Sequence, residues 1–307
     1  MKPTFRAGSV RVQVPATSAN LGPGYDSLGL ALSLHDDLVA RVVDDGVSID
    51  IAGEGEGLDR GEQHLVVRAM RAAFEAMGGQ PRGLQLSCAN RIPHGRGLGS
   101  SAAAIVAGVV LARALVAGGT SLLPDAVAFA LAADLEGHPD NVAACFYGGL
   151  TIAWTDSAGA RAARTEVDPV VRPVALVPPF ESSTASARGV LPSTVPHEDA
   201  AFGAARSALL VAVLTGAAPA EHLLAATEDR LHQPYRAPAT PESADLVARL
   251  RAAGHAAVVS GAGPTVLVLA RAEVEVERIS AAAPDGWRCH ALAVDPQGVR
   301  VVPVIGL

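Results

Sequence analysis

Apolar positions along the chain follow two different periods. Ser9–Val14 alternates apolar and polar residues, Leu28–Val43 sustains a long strand-like run, and Val47–Ile51 and Gly83–Cys88 are shorter runs, so each predicts a β-strand. A Pro/Gly/Asn-rich loop separates the first two strands and runs through Gly24. Gln63–Met77 carries apolar residues at helical spacing and stops at Gly78-Gly79. Ser100–Val116 reads as a small-residue helix ended by Gly118-Gly119, and Leu123–Leu135 as another, with Pro124 near its first turn. Asn141–Trp154 passes from a short helix through Gly148-Gly149 into a strand. Thr155–Pro173 shows no period and is expected to be irregular, which sets a domain boundary there, between residues 1–160 and 161–307. The second half offers a strand at Val174–Val177, helices around Ala200–Leu214, Ala220–Leu231 and Pro241–Ala253, and strands at Ala256–Val259 and Val266–Ala270. Helix and strand in similar measure, without strict alternation, predict an α+β fold of layered sheets.

Composition narrows the function. Half of the 307 residues are apolar but only 4% are aromatic, so the core is expected to pack through small side chains. A formal net charge of −7 argues against nucleic acid or an anionic membrane as the main partner. Lys2 is the sole lysine. That excludes a Walker-type NTPase, a protein kinase and a pyridoxal-phosphate enzyme, each of which needs a lysine at its centre. Cys88, Cys145 and Cys289 are odd in number and far apart, and are expected to be buried, reduced thiols. Met1–Val14 has no signal-peptide core, and the longest uncharged runs, Ala102–Ala112 and Ser207–Ala220, fall short of the ~18 residues that span a bilayer. A soluble, cytoplasmic protein is expected. The oligomeric state, a homodimer included, is left open.

Four segments could carry chemistry. Pro93-His94-Gly95-Arg96-Gly97-Leu98-Gly99-Ser100-Ser101-Ala102-Ala103 follows a strand and opens a helix. Alternate glycines let its backbone curl with N–H groups inward, and the helix start adds free donors and a positive dipole end, so an anionic phosphate is its natural guest. Ser100 and Ser101 can offer hydroxyls to a phosphate or to its Mg²⁺. The second segment, Pro15–Gly29, is dense in Pro, Gly and small polar residues, with Asn20 and Asp26 as its reaching groups; it also reads as a plain Asx-turn connection. The third, Asp134–Val142, holds three acids, His138 and Asn141, and could equally be a polar helix end followed by an N-cap. The fourth, Ser260-Gly-Ala-Gly-Pro-Thr265, lies between apolar strands and suits a tight hairpin. Arg188 and Arg236 stand in small or apolar surroundings, where a single arginine is ordinarily surface decoration.

Taken in order, these segments resemble the GHMP kinase superfamily. Pro93–Ala103 matches its phosphate-loop pattern P-x-x-x-G-L-G-S-S-A in full, and Ser260–Thr265 is similar to its C-terminal glycine motif. The run from Thr17-Ser-Ala-Asn-Leu-Gly to Gly24-Tyr-Asp-Ser-Leu-Gly resembles the branch that phosphorylates L-homoserine. So do His138-Pro-Asp-Asn-Val, Ser183-Thr-Ala-Ser-Ala-Arg188 and Gln233-Pro-Tyr-Arg236; the mevalonate and galactose branches differ. The resemblance spans about Val10 to Ala270. It implies an N-terminal nucleotide-binding domain, a ferredoxin-like C-terminal domain, and an active site at their junction that uses ATP with Mg²⁺. It also implies that Pro93–Ala103 wraps the ATP phosphates and that Asn20, Asp26, His138, Asn141, Thr184, Arg188 and Arg236 line the substrate pocket. Catalytic roles would fall to Asp140, Asn141, Asn20 and Ser100, with Asp140 a candidate base, and the metal to Ser100 and Asp134. Charge chemistry agrees: an amino-acid zwitterion needs a carboxylate for its ammonium, here Asp26, and arginines for its carboxylate, here Arg188 and Arg236. The chain departs from the family at Asp134, where a glutamate is usual. Asp134 and Glu136, two residues apart on a helix, cannot share a face, and position favours Asp134 as the metal ligand. A different GHMP small-molecule kinase, or a non-catalytic sensor on the same fold, would share most of these motifs.

Overall fold

The computed structural model describes residues 3–304, apart from the side chains of residues 184 and 185. Lys2 lies outside this range. Strands β1 (Val10–Ala19) and β2 (Leu28–Val43) pair antiparallel along most of their length and form the spine of a seven-stranded sheet. β3 (Gly46–Gly53) lies parallel to β4 (Gly83–Asn90), which pairs with the C-terminal half of β2. β5 (Leu150–Asp156) takes the N-terminal end of β2 and pairs in turn with β6 (Gly159–Thr165). The first strand runs five residues beyond its expected end, through Pro15. A proline has no ladder donor, and the register slips between Pro15 and Ala16, the kind of irregularity at which a strand tolerates one. β6 occupies a stretch expected to be irregular, and the expected boundary after residue 160 falls inside it. Its sequence, GARAART, has no apolar run or β-branched core to announce a strand.

Helices α1 (Leu65–Ala76), α2 (Ser100–Leu115), α3 (Gly119–Leu122), α4 (Asp125–Glu136) and α5 (Pro139–Tyr147) belong to the same half of the chain. α2 is apolar on nearly every side and is buried at eleven positions, mostly alanine and valine, as suits a helix enclosed by sheet and neighbours.

The second sheet comprises β7 (Arg172–Val177), β8 (Ala257–Val259), β9 (Val266–Ala270) and β10 (Arg288–Ala291), in the antiparallel order β10-β7-β9-β8. Between β7 and β8 the chain forms α6 (Thr184–Gly189), α7 (His197–Leu214), α8 (Leu223–Ala226), α9 (Gln233–Arg236) and α10 (Pro241–Ala252); α11 (Glu273–Ala281) joins β9 to β10. This 4-1-3-2 order with helical crossovers is the ferredoxin-like arrangement. All five residues of β9 are buried because both faces are covered. Val266 and Val268 meet Leu246, Leu250 and Ile279 of α10 and α11, while Leu267 and Leu269 join the main core with Leu210 and Leu214 of α7. The helix expected over Ala220–Leu231 stops early. Asp229 accepts hydrogen bonds from the amides of Leu231 (2.7 Å), His232 (3.2 Å) and Gln233 (2.7 Å), and this local capture ends one helix and starts the next. The cysteine expectation is corrected at one position: Cys88 and Cys145 are buried, the former thiol pushed up to about 12 by burial, but Cys289 is exposed on the edge strand β10. Among the described residues no helix is long and apolar enough to cross a membrane.

The chain closes on itself. β11 (Arg300–Val302) returns to pair with β1 in the first sheet. There the buried Asp295 binds His35 Nε2 (2.5 Å) and Arg300 Nη1 (2.9 Å) and accepts the amides of Gln297 and Gly298. Burial alone would raise the Asp295 pKa, but His35, Arg300 and the two amides together hold it well below the usual carboxylate range. Its contribution to stability is therefore complete above the unfolded carboxylate pKa of about 4 and is lost as pH falls through the lower folded value. Asp295→Asn should cost roughly 3–5 kcal/mol at neutral pH, because it leaves two basic groups without their buried partner. The gap from wild type in denaturant melts should shrink toward pH 3, and a gap that ignores pH would rule out this origin.

Candidate active site

The glycine loop is fastened at both ends and in its middle. Asp36 on β2 accepts the amides of Arg91 (2.5 Å) and Ile92 (2.8 Å), and its burial raises its pKa despite those bonds. Further along, the amide of Thr17 donates to the Leu98 carbonyl (3.0 Å), the Ser260 hydroxyl to the Gly97 carbonyl (2.6 Å), and the Thr265 amide to the Arg96 carbonyl (3.2 Å). The loop thus lies between the end of β1 and the Ser260–Thr265 turn, which joins β8 to β9 as a hairpin. Two positions admit glycine alone. Gly97 has φ +77° and a Cβ there would lie 2.4 Å from the Ser260 carbonyl oxygen; Gly99 has φ +69° and its Cβ would lie 1.9 Å from Thr17 Oγ1. Beyond Gly99, Ser100 and Ser101 open the sixteen-residue α2, whose start has no side-chain cap among the described residues, and both line the cleft. Leu98, Ala102 and Ala103 pack behind the loop in the core, and Arg96 turns away to the carbonyls of Pro178 and Pro179. Pro93 is buried and His94 turns to a neighbouring cavity.

Opposite the loop stands a charged cluster. Asn20, Leu21 and Asp26 all have positive φ (67°, 50° and 53°), a conformation that non-glycine residues adopt at a cost and that tertiary contacts must hold. Asn20 supplies those contacts: its Nδ2 donates to the Gly261 carbonyl (2.9 Å) and its Oδ1 accepts the Asp26 amide (2.9 Å). Asp26 and Arg188, expected to take opposite ends of a zwitterion, hold each other through two bonds of 2.7 and 2.9 Å, and Arg188 also donates to the Tyr25 hydroxyl (3.0 Å). Arg236 is 4% exposed, and its described partners are all neutral: the carbonyls of Ala187 and Gly261 and the ring of His232. Burial, above all, lowers its pKa. Thr184 begins α6, but its side chain lies outside the described residues.

The third wall is the turn between α4 and α5. Of the two acids weighed for the metal, Asp134 is exposed and Glu136 lines the cleft. Helical phase explains it. α4 buries Phe129, Ala132 and Ala133, and Glu136 follows them by seven, four and three residues, on the same stripe. Glu136 accepts a hydrogen bond from the Ser101 hydroxyl, yet burial raises its pKa even so. His138 Nδ1 lies 2.9 Å from Asp140 Oδ1, which also accepts the Asn141 amide (2.8 Å). Burial opposes the His138 charge, but Asp140 and Glu136 outweigh it and raise the pKa. Thr17 Oγ1 donates to Asn141 Oδ1 (2.8 Å), so the Asn141 amide group points its N–H donors elsewhere.

These walls enclose a cleft of about 290 Å³ lined by Asn20, Asp26, Gly95, Gly97, Gly99, Ser100, Ser101, Glu136, His138, Asp140, Asn141, Arg188 and Arg236, among others. Sequence reasoning had gathered most of these. It missed Thr17 and Tyr25, whose roles come from contacts across the chain, and it weighed Glu136 but set it second. A more apolar cavity of about 390 Å³, lined by Leu38, Leu58, His64, Val66, Cys88 and Asn90 among others, shares Ser100 and Ser101 with the cleft.

The two sheets and the loop-and-helix anion site define a small-molecule phosphotransferase of the GHMP type. Family models for the GHMP kinases N terminal domain and GHMP kinases C terminal match residues 64–149 and 200–289, and the chain belongs to that family. Within it the chain falls among the homoserine kinases. It is 58% identical to homoserine kinase of Streptomyces coelicolor over 98% of this chain and 97% of that protein. It is 51% identical to homoserine kinase of Clavibacter michiganensis over 95% and 93%. A crystal structure of homoserine kinase from Cytophaga hutchinsonii superposes with a TM-score of 0.84 at 26% identity, covering 97% of this chain and 99% of that one.

The tight fit of Gly99 against Thr17 gives a direct check. Gly99→Ala should cost about 1–3 kcal/mol of stability through its positive φ, and should also push the loop off Thr17 and weaken nucleotide binding. Thermal melts with and without ATP would show it; an alanine variant that ATP stabilises as well as wild type would overturn the assignment.

Proposed function

We propose that this chain transfers the γ-phosphoryl group of ATP to the side-chain hydroxyl of L-homoserine, forming O-phospho-L-homoserine on the route to threonine. The observation that carries the reading is Arg236, a buried guanidinium whose hydrogen-bond partners among the described residues are all neutral, set beside the Asp26–Arg188 pair and across the cleft from the phosphate loop. A carboxylate from outside the chain would give this buried cation a charged partner at the cleft. Asp26 has further lone pairs beyond the two that Arg188 engages, so it can accept a substrate ammonium without releasing Arg188. Mevalonate has no ammonium and galactose no charge, so neither would use this set.

The loop amides and the start of α2 receive the ATP phosphates, and the adjoining apolar cavity takes the base. Mg²⁺ fits the same corner. It binds through one or two carboxylates plus substrate phosphates, and the structure offers the buried Glu136 carboxylate beside the Ser100 and Ser101 hydroxyls. When bound, it would neutralise charge on the β- and γ-phosphates. The chain's own residues then align the reaction. Asp140, oriented by His138 and the Asn141 amide, and Asn141, oriented by Thr17, hold the acceptor hydroxyl, with Asp140 placed to take its proton. ATP as co-substrate fits a cytoplasmic enzyme.

Coupled ADP release with L-homoserine, L-threonine, L-serine and mevalonate tests the substrate: homoserine should turn over fastest, and faster turnover of any other would refute the assignment. For the metal corner, Glu136→Gln should lower kcat by roughly 10²–10³-fold, as loss of a group that stabilises transition-state charge does, and should raise the Mg²⁺ requirement. Asp134→Asn should do little, and the opposite pattern would return the role to Asp134.

A further inference from the structure

Arg236 can bind a carboxylate well only if its guanidinium is held at one rotation, and the structure shows what holds it. Nε donates to the Ala187 carbonyl (3.0 Å), and Nη1 lies 3.3 Å from the Gly261 carbonyl and 3.2 Å from His232 Nδ1. A guanidinium has donors only, so Nδ1 presents a lone pair and the imidazole proton sits on Nε2. Nε2 lies 2.7 Å from the Gly22 carbonyl, which accepts that proton. The ring is fully buried, and burial together with the Arg236 charge holds its pKa down against the pull of Asp229, so it stays neutral. Asp229, which accepts the amides around it, fixes the start of α9 and lies 3.5 Å from Nε2. Tyr25 closes the remaining side, its ring centroid 5.3 Å from that of His232 and 5.4 Å from the Arg236 guanidinium carbon.

We infer that His232 is a positioning residue for substrate binding: its Nδ1 lone pair holds Nη1 of Arg236, which turns Nη2 toward the substrate carboxylate. His232 itself does not line the cleft. Among the described residues no hydrogen bond engages Nη2, and Arg236 does line the cleft. The inference rests on the reading of Arg236 as the carboxylate holder.

Steady-state kinetics with L-homoserine and ATP, alongside thermal melts, test it on His232→Phe, His232→Gln, His232→Asn, Arg236→Ala and the His232→Phe/Arg236→Ala pair. Asparagine can place an oxygen near the Nδ1 position; glutamine can reach Gly22 but offers no acceptor there. His232→Phe and His232→Gln should raise the homoserine KM roughly 5- to 100-fold, the range for loss of one buried hydrogen-bond partner, with the ATP KM nearly unchanged. His232→Asn should recover most of the affinity. The double variant should be no worse than Arg236→Ala alone, because His232 acts through Arg236. Equal effects of Asn and Gln, a parallel rise in both KM values, or additive losses in the pair would overturn the positioning role. An Arg236→Ala variant with unchanged homoserine KM would instead overturn the reading of Arg236 itself. If His232→Phe does not fold, the Asn and Gln variants decide.

Discussion

The candidate active site depends on a glycine loop that cannot hold its own shape. Three glycines in five residues have little conformational preference, and an isolated loop of this composition would sample many forms. Its shape comes from contacts made by residues distant in sequence: the Thr17 amide on the Leu98 carbonyl, the Ser260 hydroxyl on the Gly97 carbonyl, and Asp36 on the amides just before it. Gly97 and Gly99 are needed because the loop is pressed this closely between its neighbours. An anion site of backbone amides works only when the amides are fixed before the ligand arrives, since ordering them afterwards would cost affinity. Both sheets contribute to that fixing, β1 from one and the β8–β9 turn from the other, which is why the cleft lies where they meet.

The same economy governs the charges. In a chain with one lysine, arginine carries nearly all the positive charge, and most arginines are paired on the surface or used to cap carbonyls. Arg236 differs in being buried among neutral acceptors. Keeping a cation in such a place costs free energy that the fold must supply elsewhere. A site built to bind a carboxylate rejects ligands that lack one, since they would leave the guanidinium unmet. Were Arg236 to hold a substrate carboxylate, an alcohol without one would be disfavoured by that penalty as much as by lost attraction.

The return of β11 to β1 has a related consequence. The His35–Asp295–Arg300 network joins the last strand to the first two, so the segment that enters the second sheet also leaves it and comes home. Both ends of the C-terminal unit are thereby tied to the N-terminal sheet. This limits how far the Ser260–Thr265 turn can drift from the loop it clamps.

Much of this was legible in the chain. Hydrophobic patterning located β2, α1, α2 and α10 closely: α1 and α10 bury one face against a core, and β2 and α2 are long apolar runs, so the composition of each must show it. The glycine loop, Asn20, Asp26, Asn141 and the two arginines were recognisable by residue type and order. Edge strands β6, β10 and β11 were not, since half-exposed strands need no apolar signature, and the break after α8 depended on one aspartate catching three amides. That Glu136 and not Asp134 lines the cleft could have been read from helical phase alone, for Glu136 shares the stripe of Phe129, Ala132 and Ala133. What no local pattern could decide was long-range pairing: that Thr17 meets Gly99 and Asn141, that Asp26 turns to Arg188, and that the His232 ring meets the Gly22 carbonyl, which leaves its other nitrogen to Arg236. Sequence determines which groups are present and which face of a helix or strand each one takes, because those follow from local geometry. Which of them meet, at what distance and in what protonation state is set by packing between segments distant in the chain, as with Asp26 and Arg188, and only the tertiary structure decides that.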